Sequence, residues 1–202
     1  MKRDFIYLAS ASPRRRVLLE QIGVAFKVRP AEVCETRRPR ELPGAYVTRV
    51  ARAKADRIWD EVAAGQARPV LAADTAVVID RRVLGKPRDT GEALQMLADL
   101  SGRSHSVLTA VVVRYGRQVL SELSASEVQF RATTERERLA YCATGEPLDK
   151  AGSYAIQGMG AIFIEHISGS YSSVMGLPVA VTALLLAEFG CPVWLHPTET
   201  LA

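Results

Sequence analysis

The sequence is poor in cysteine. Cys34, Cys142 and Cys191 are isolated and odd in number, and no C-x-x-C pair occurs. That argues against a disulfide framework or a zinc ribbon and fits a reducing cytoplasm. Long hydrophobic runs are missing as well. No stretch approaches the roughly 20 apolar residues of a membrane span. The apolar run at 179–186 is too short, and Gly190 closes it. The first residues, MKRDFIYLASAS, are basic but lack the apolar length of a secretory signal. Lysine is scarce: Lys2, Lys27, Lys54, Lys86 and Lys150 are the whole set, so the net charge of +4 rests mostly on arginine. No long basic run occurs. Arg14-Arg15-Arg16 and Arg37-Arg38-Pro39-Arg40 suit a small polyanion as well as a polymer, so nucleic acid has weak support.

What is present is a globular balance: 48% hydrophobic and 24% charged residues over 202 positions. A chain of this size buries about 70% of its unfolded surface on folding and needs no covalent or metal staple. Neither an internal repeat nor a separating linker is visible. Residues 1–202 therefore read as one domain, or two lobes sharing a core.

Helices and strands alternate. Residues 5–9 predict a buried strand. Ser12 and Pro13 then open a helix over 14–22 that stops at Gly23. A second short strand is predicted at 26–29, followed by a polar, proline-bearing loop over 30–43. Val47, Val50, Ala51, Lys54 and Ile58 fall on one stripe of a long helix over 43–64. Residues 70–79 predict a strand covered on both faces, interrupted only by Asp74-Thr75, with a turn at 80–82 leading into Val83-Leu84. Thr90 is expected to cap a helix reaching Leu100, where Gly102 stops it. Residues 106–115 and 119–130 predict paired strands around Gly116, and Thr134 with Glu137 predicts a capping box for a helix to about 144. Strands are expected at 154–156 and 161–167, and a final helix after Gly176-Leu177-Pro178 runs to about 189. The tail after Cys191 reads as poorly ordered. The sum is an α/β fold with a mixed sheet and flanking helices.

Five features stand out chemically. The Ser10-Ala11-Ser12-Pro13-Arg14-Arg15 turn places arginines at a helix N-terminus, where they repel the dipole unless an anion joins them. A solvent-facing basic turn is the plainer reading. Lys54, on an apolar stripe, must snorkel, pair or enter a polar cleft. Asp74 is a carboxylate inside an apolar strand. It is a candidate general base or metal ligand, or a structural Asp that ties down a loop. Lys86, in a Gly/Pro turn, could reach the same cleft or simply be solvated. Gln157 precedes a glycine-rich turn, where its amide can read a donor–acceptor edge such as a nucleobase or tie down the turn. Together they resemble a polyphosphate site with a metal or a base. No Cys or His lies in these segments, which disfavours a cysteine-dependent hydrolase.

The segments LASASPRRRVLLEQIG, YVTRVARAKA, AADTAVVID, LGKPRD, DKAGSYAIQG and GSYSSVMGLP, in this order, resemble the Maf family of nucleoside triphosphate pyrophosphatases. The likeness spans residues 8–186. It implies an elongated, Maf/ITPase-like mixed α/β fold with two lobes around a central cleft. It also implies hydrolysis of a nucleoside triphosphate to the monophosphate and pyrophosphate, a divalent cation (Mg²⁺ or Mn²⁺), a cytoplasmic location and a possible homodimer. Restraint of cell division and cleansing of the nucleotide pool are associated with the family.

By position, the resemblance makes Asp74 the proton acceptor. Ser10, Arg14, Arg15, Lys54 and Lys86 would hold phosphates, and Glu35 joins Asp74 as a candidate metal ligand. Cys34 stands where many relatives carry a second acid beside Glu35. Arg14, Thr75 and Gln157 match the branch that prefers dTTP and UTP, with modified pyrimidine nucleotides as further candidates. The branch preferring 7-methyl-GTP carries an aromatic residue, Gln and Glu at these three positions. A binding regulator of nucleotides or nucleic acid, without relevant catalysis, is the alternative from another class.

Overall fold

A computed structural model describes residues 4–191, 193 and 194, and the expectation for the tail falls mostly outside them. The frame is a seven-stranded sheet ordered β2-β1-β3-β5-β6-β7, with β4 paired to β3 beside this path. Strands β1 (Ile6–Leu8) and β2 (Phe26–Val28) are parallel to each other, and β1 is parallel to β3 (Val70–Ile79). All other pairings are antiparallel: β4 (Arg82–Leu84), β5 (Ser104–Tyr115), β6 (Gln118–Phe130) and β7 (Ile164–Ser168). The sheet is therefore mixed, with helices packed along it.

One feature of the register creates the cleft. Along one edge of β3, β1 pairs only with Val70 and Leu71, and β4 pairs only with Val77, Val78 and Ile79. Between them that edge is uncovered, while the opposite edge stays fully laddered to β5 from Val70 to Val78. Asp74 and Thr75 lie in the uncovered stretch. Successive side chains of a strand point to opposite faces. Asp74 thus shares the face of Ala72 and Ala76, which pack under α2 (Pro43–Val62), and Thr75 faces the other way.

Three hydrophobic clusters flank this gap. One joins β1, α1 (Pro13–Gln21) and α6 (Val179–Glu188) through Leu8, Leu18, Leu19, Leu177 and Leu186. The second lies under α2, built on Val47, Ala51, Ala55 and Ile58. The third sits at the far end of β3 and β5. There Val77, Leu97, Phe130, Tyr141, Tyr154 and Phe163 join α3 (Thr90–Leu100) and α4 (Glu135–Ala143). The cleft runs between the first two clusters and the third, which gives the expected two lobes a physical basis.

Most elements form where the residue pattern places them. The stripe of α2 is buried as its spacing demands, and the capping box of α4 is complete, with Thr134 and Glu137 bonding each other's backbone N–H. The structure corrects four details. Asp89, not Thr90, caps α3, accepting from the Glu92 N–H at 2.8 Å. Residues 154–156 form no strand. They are buried, but the Ala155 N–H donates to the Tyr141 hydroxyl rather than to a ladder. Residues Met159–Phe163 are a 3-10 helix, so β7 begins only at Ile164. The one-turn helix α5 (Tyr171–Met175), capped by Ser170, was not foreseen, because five residues carry no readable period. Among the described residues no helix is long and apolar enough to cross a membrane.

Candidate active site

The cleft has a volume of about 740 Å³. Every residue singled out from the sequence lines it: Ser10, Arg14, Arg15, Glu35, Lys54, Asp74, Thr75, Lys86 and Gln157. They arrive from six separate parts of the chain, so their convergence is a product of the fold.

The floor is Asp74, 7% exposed. Its Oδ1 accepts from Lys54 Nζ at 2.8 Å, and the same ammonium lies 2.7 Å from Glu35 Oε1. Lys54 therefore pairs; it does not snorkel. The stripe of α2 drives it into the interior, and two carboxylates compensate the buried charge. Burial pushes the Asp74 carboxyl above its ordinary value, while Lys54 and then Arg15 pull it down without cancelling the rise. The result is a carboxylate more basic than an exposed one.

Glu35 reaches the floor from the loop after β2, and Arg49 of α2 pins that loop. The Arg49 guanidinium grips Glu41 at 2.6 and 2.8 Å and donates to the Thr36 carbonyl. The bond from Arg49, with the Arg38 N–H, holds the Glu41 carboxyl down at about 2. Arg49 escaped the sequence reading. Its signal was only a charge on the exposed side of an amphipathic helix.

One wall is the start of α1. Ser12 occupies the cap position but makes no side-chain cap; its own N–H donates to Ser10 Oγ at 3.2 Å. The N–H groups of Arg14 and Arg15 are therefore left at the positive end of the helix dipole. The two arginines differ. Arg14 is half-buried and has no hydrogen bond or ion pair among the described residues. Arg15 is buried and fully engaged: Nε donates to the Gly176 carbonyl at 2.9 Å, Nη1 to Ser10 Oγ at 3.0 Å and Nη2 to Thr75 Oγ1 at 3.3 Å. Thr75 in turn bonds Thr109 at 3.0 Å, and Thr109 donates to the Ser173 carbonyl at 2.8 Å. Arg15 thus ties α1, β3 and the α5–α6 junction together as well as lining the cleft.

The opposite wall carries Lys86, Asp149, Lys150, Tyr154 and Gln157. Lys86 and Gln157 are exposed and without a polar partner among the described residues. Lys150 is held back, donating to the Glu146 carbonyl at 3.0 Å and pairing with Asp149. Gln157 sits in a four-residue turn closed by the Gly158 N–H on the Ala155 carbonyl at 3.2 Å. Tyr154, beneath that turn, bonds His105 Nε2 at 2.8 Å. Burial holds His105 down to about 4, so it is neutral at pH 7. Tyr46, Asp149, Lys150 and Tyr154 line the cleft although the sequence reading assigned them no role there. In sequence Tyr154 falls in the expected strand at 154–156, and no local pattern marks Tyr46.

No cluster of three or more His, Cys, Asp or Glu side chains suited to a metal exists among the described residues. Two carboxylates, Glu35 and Asp74, do converge on one cationic atom. A hard divalent ion is commonly held by one or two carboxylates, with phosphate oxygens and water completing the shell. The donor set fits such an ion.

A buried carboxylate, a helix N-terminus with spare N–H groups, unpaired cations and an amide across a cleft define a site for a small polyanion with an organic head. Similarity to known proteins narrows this class. The chain matches the family described as "Maf-like protein" over residues 5–189, and it belongs to that family. It is 50% identical over 187 residues to a dTTP/UTP pyrophosphatase of Chromobacterium violaceum, covering 92% of this chain and 94% of that protein. A protein of the same name from Anaeromyxobacter dehalogenans is 51% identical over 197 residues, covering 95% and 98%. The Staphylococcus aureus Ham1 protein, of solved structure, is similar at a TM-score of 0.39 and 12% identity, covering 86% of this chain and 84% of that one.

Proposed function

We propose that this protein hydrolyses dTTP and UTP to the nucleoside monophosphate and pyrophosphate. The observation that carries the reading is the division of one cleft into two chemistries. Asp74, Lys54 and the α1 N-terminus lie on one side, and the unpartnered amide of Gln157 lies on the other. Relatives named dTTP/UTP pyrophosphatase at about half identity support it.

The triphosphate lies against the α1 N-terminus. The N–H groups of Arg14 and Arg15, the Arg14 guanidinium and the Lys86 ammonium neutralise its charge. These contacts strengthen as negative charge gathers on the departing pyrophosphate. Asp74 orients a water and accepts its proton as water adds across the α–β anhydride. Lys54 favours the ionised carboxylate, and burial makes it a stronger base. Glu35 and Asp74 would hold a Mg²⁺ or Mn²⁺ ion, which when bound supplies charge neutralisation at the phosphate oxygens. Gln157 offers both a donor and an acceptor to the imide edge of uracil or thymine.

The test is pyrophosphate release by purified protein with Mg²⁺ or Mn²⁺ across dTTP, UTP, CTP, GTP and 7-methyl-GTP. Selective release from dTTP and UTP is expected. Release from 7-methyl-GTP alone would overturn the substrate assignment, and release from none would return weight to a binding regulator.

A further inference from the structure

The turn that presents Gln157 is not held by the cleft. It is held from behind by a carboxylate that the cleft does not touch. The Glu146 carboxylate accepts three hydrogen bonds: the Tyr141 hydroxyl donates to Oε1 at 2.7 Å, the Gly160 N–H to Oε1 at 3.1 Å and the Met159 N–H to Oε2 at 3.0 Å, while the Lys150 ammonium donates to the Glu146 backbone carbonyl. Met159 and Gly160 open the 3-10 helix that follows the turn, so Glu146 caps its otherwise unsatisfied N–H groups. The Tyr141 hydroxyl also accepts from the Ala155 N–H at 3.2 Å. Both ends of the 155–160 segment are thereby fastened to one hydroxyl–carboxylate pair.

The packing leaves no slack. A Cβ on Gly158 would lie 2.3 Å from Glu146 Oε2, and one on Gly160 would lie 2.6 Å from the Tyr141 hydroxyl. The glycines at these two positions are what lets the backbone close on the pair. Gln157 has no polar partner of its own among the described residues, so its aim depends on the turn's backbone. Neither Glu146 nor Tyr141 lines the cleft.

We propose that Glu146, with Tyr141, is a positioning residue for nucleobase selectivity: it fixes the turn that aims Gln157 and leaves the phosphate half of the site untouched. This rests on the pyrimidine triphosphatase reading above. Hydrogen-bond readout is sensitive to misplacement, because a site built to bond a particular edge rejects others only while its groups stay aligned.

The experiment measures kcat/KM for UTP, dTTP and GTP in the wild type, Glu146→Gln, Tyr141→Phe and Gln157→Ala, with inhibition by UMP and by inorganic tripolyphosphate in parallel. Glu146→Gln and Tyr141→Phe are expected to lower the UTP-to-GTP ratio about tenfold, the worth of roughly one net hydrogen bond. UMP inhibition should weaken to match, and tripolyphosphate inhibition should stay unchanged. Gln157→Ala should give the same loss, and combining it with Glu146→Gln should add nothing. Tyr141→Phe removes one oxygen from a packed ring, so it keeps the test available should Glu146→Gln fold poorly. An unchanged ratio, an equal loss on every substrate, or a fully additive double variant would overturn the proposal. A wild type that releases no pyrophosphate from UTP or dTTP would sink the underlying function, and this inference with it. A selective wild type with unaltered variants would sink this inference alone.

Discussion

The Lys54 ammonium and the Asp74 carboxylate meet at 2.8 Å, although 20 residues separate them in the chain. The contact couples the apolar stripe of α2 to the uncovered edge of β3. It places Asp74, the one buried carboxylate among the described residues, on the floor of the cleft, where the proposed function needs a proton acceptor.

Asp74→Asn keeps the shape and removes the proton acceptor. Turnover should fall by about 10²–10⁴, the usual worth of a positioned base. Nucleotide affinity, read by calorimetry, should change little. Unchanged turnover in this variant would remove Asp74 from the chemistry.

Arg14 and Arg15 are neighbours with different duties. Arg15→Ala breaks bonds to Gly176, Ser10 and Thr75 in a buried setting and should cost about 2–5 kcal/mol of stability as well as activity. Arg14→Ala should raise KM and leave the melting temperature in place. Thermal scans of the two variants side by side check this. Equal melting temperatures would contradict the strut role of Arg15.

Lys86 has no polar partner among the described residues, which leaves its charge for the substrate. Lys86→Ala should raise KM for UTP several-fold and weaken inhibition by tripolyphosphate, with UMP inhibition less affected. A variant with wild-type KM would mean that Lys86 points its charge to solvent throughout the reaction.

His105 supplies a pH signature of stability. Its pKa is held down to about 4 in the folded protein, against 6.5 for the free side chain. The folded state keeps it neutral, while the unfolded chain takes up a proton near pH 6.5. This contribution is fully present above pH 6.5 and is lost as the pH falls toward 4, with a slope of up to about 1.4 kcal/mol per pH unit. Urea titrations from pH 7 to 4 should show a shallower slope for His105→Gln than for the wild type. Parallel slopes would rule the contribution out.

The frame of the fold was legible in the sequence because it rests on local rules. Residues 70–79 announce β3 by continuous apolarity, and Thr134 and Glu137 announce α4 by their spacing. The site was legible residue by residue because charges in apolar surroundings are conspicuous, as with Lys54 and Asp74. What stayed hidden depends on distant partners. The second role of Arg15 requires Gly176, 161 positions away. Residues 154–156 resemble a strand because they are apolar, yet the Ala155 N–H is taken by the Tyr141 hydroxyl of α4. No local pattern encodes that exchange.

The two walls of the cleft draw on different hydrophobic clusters. The wall that carries the α1 N-terminus stands on Leu8, Leu18, Leu19 and the residues under α2, and the wall that carries Gln157 stands on Phe130, Tyr141, Tyr154 and Phe163. A substitution that remodels the second reaches the first through β3, β5, β6 and α5, which contribute residues to both sides. Such a scaffold lets the packing behind Gln157 be altered while the packing behind α1 and Asp74 keeps most of its own contacts.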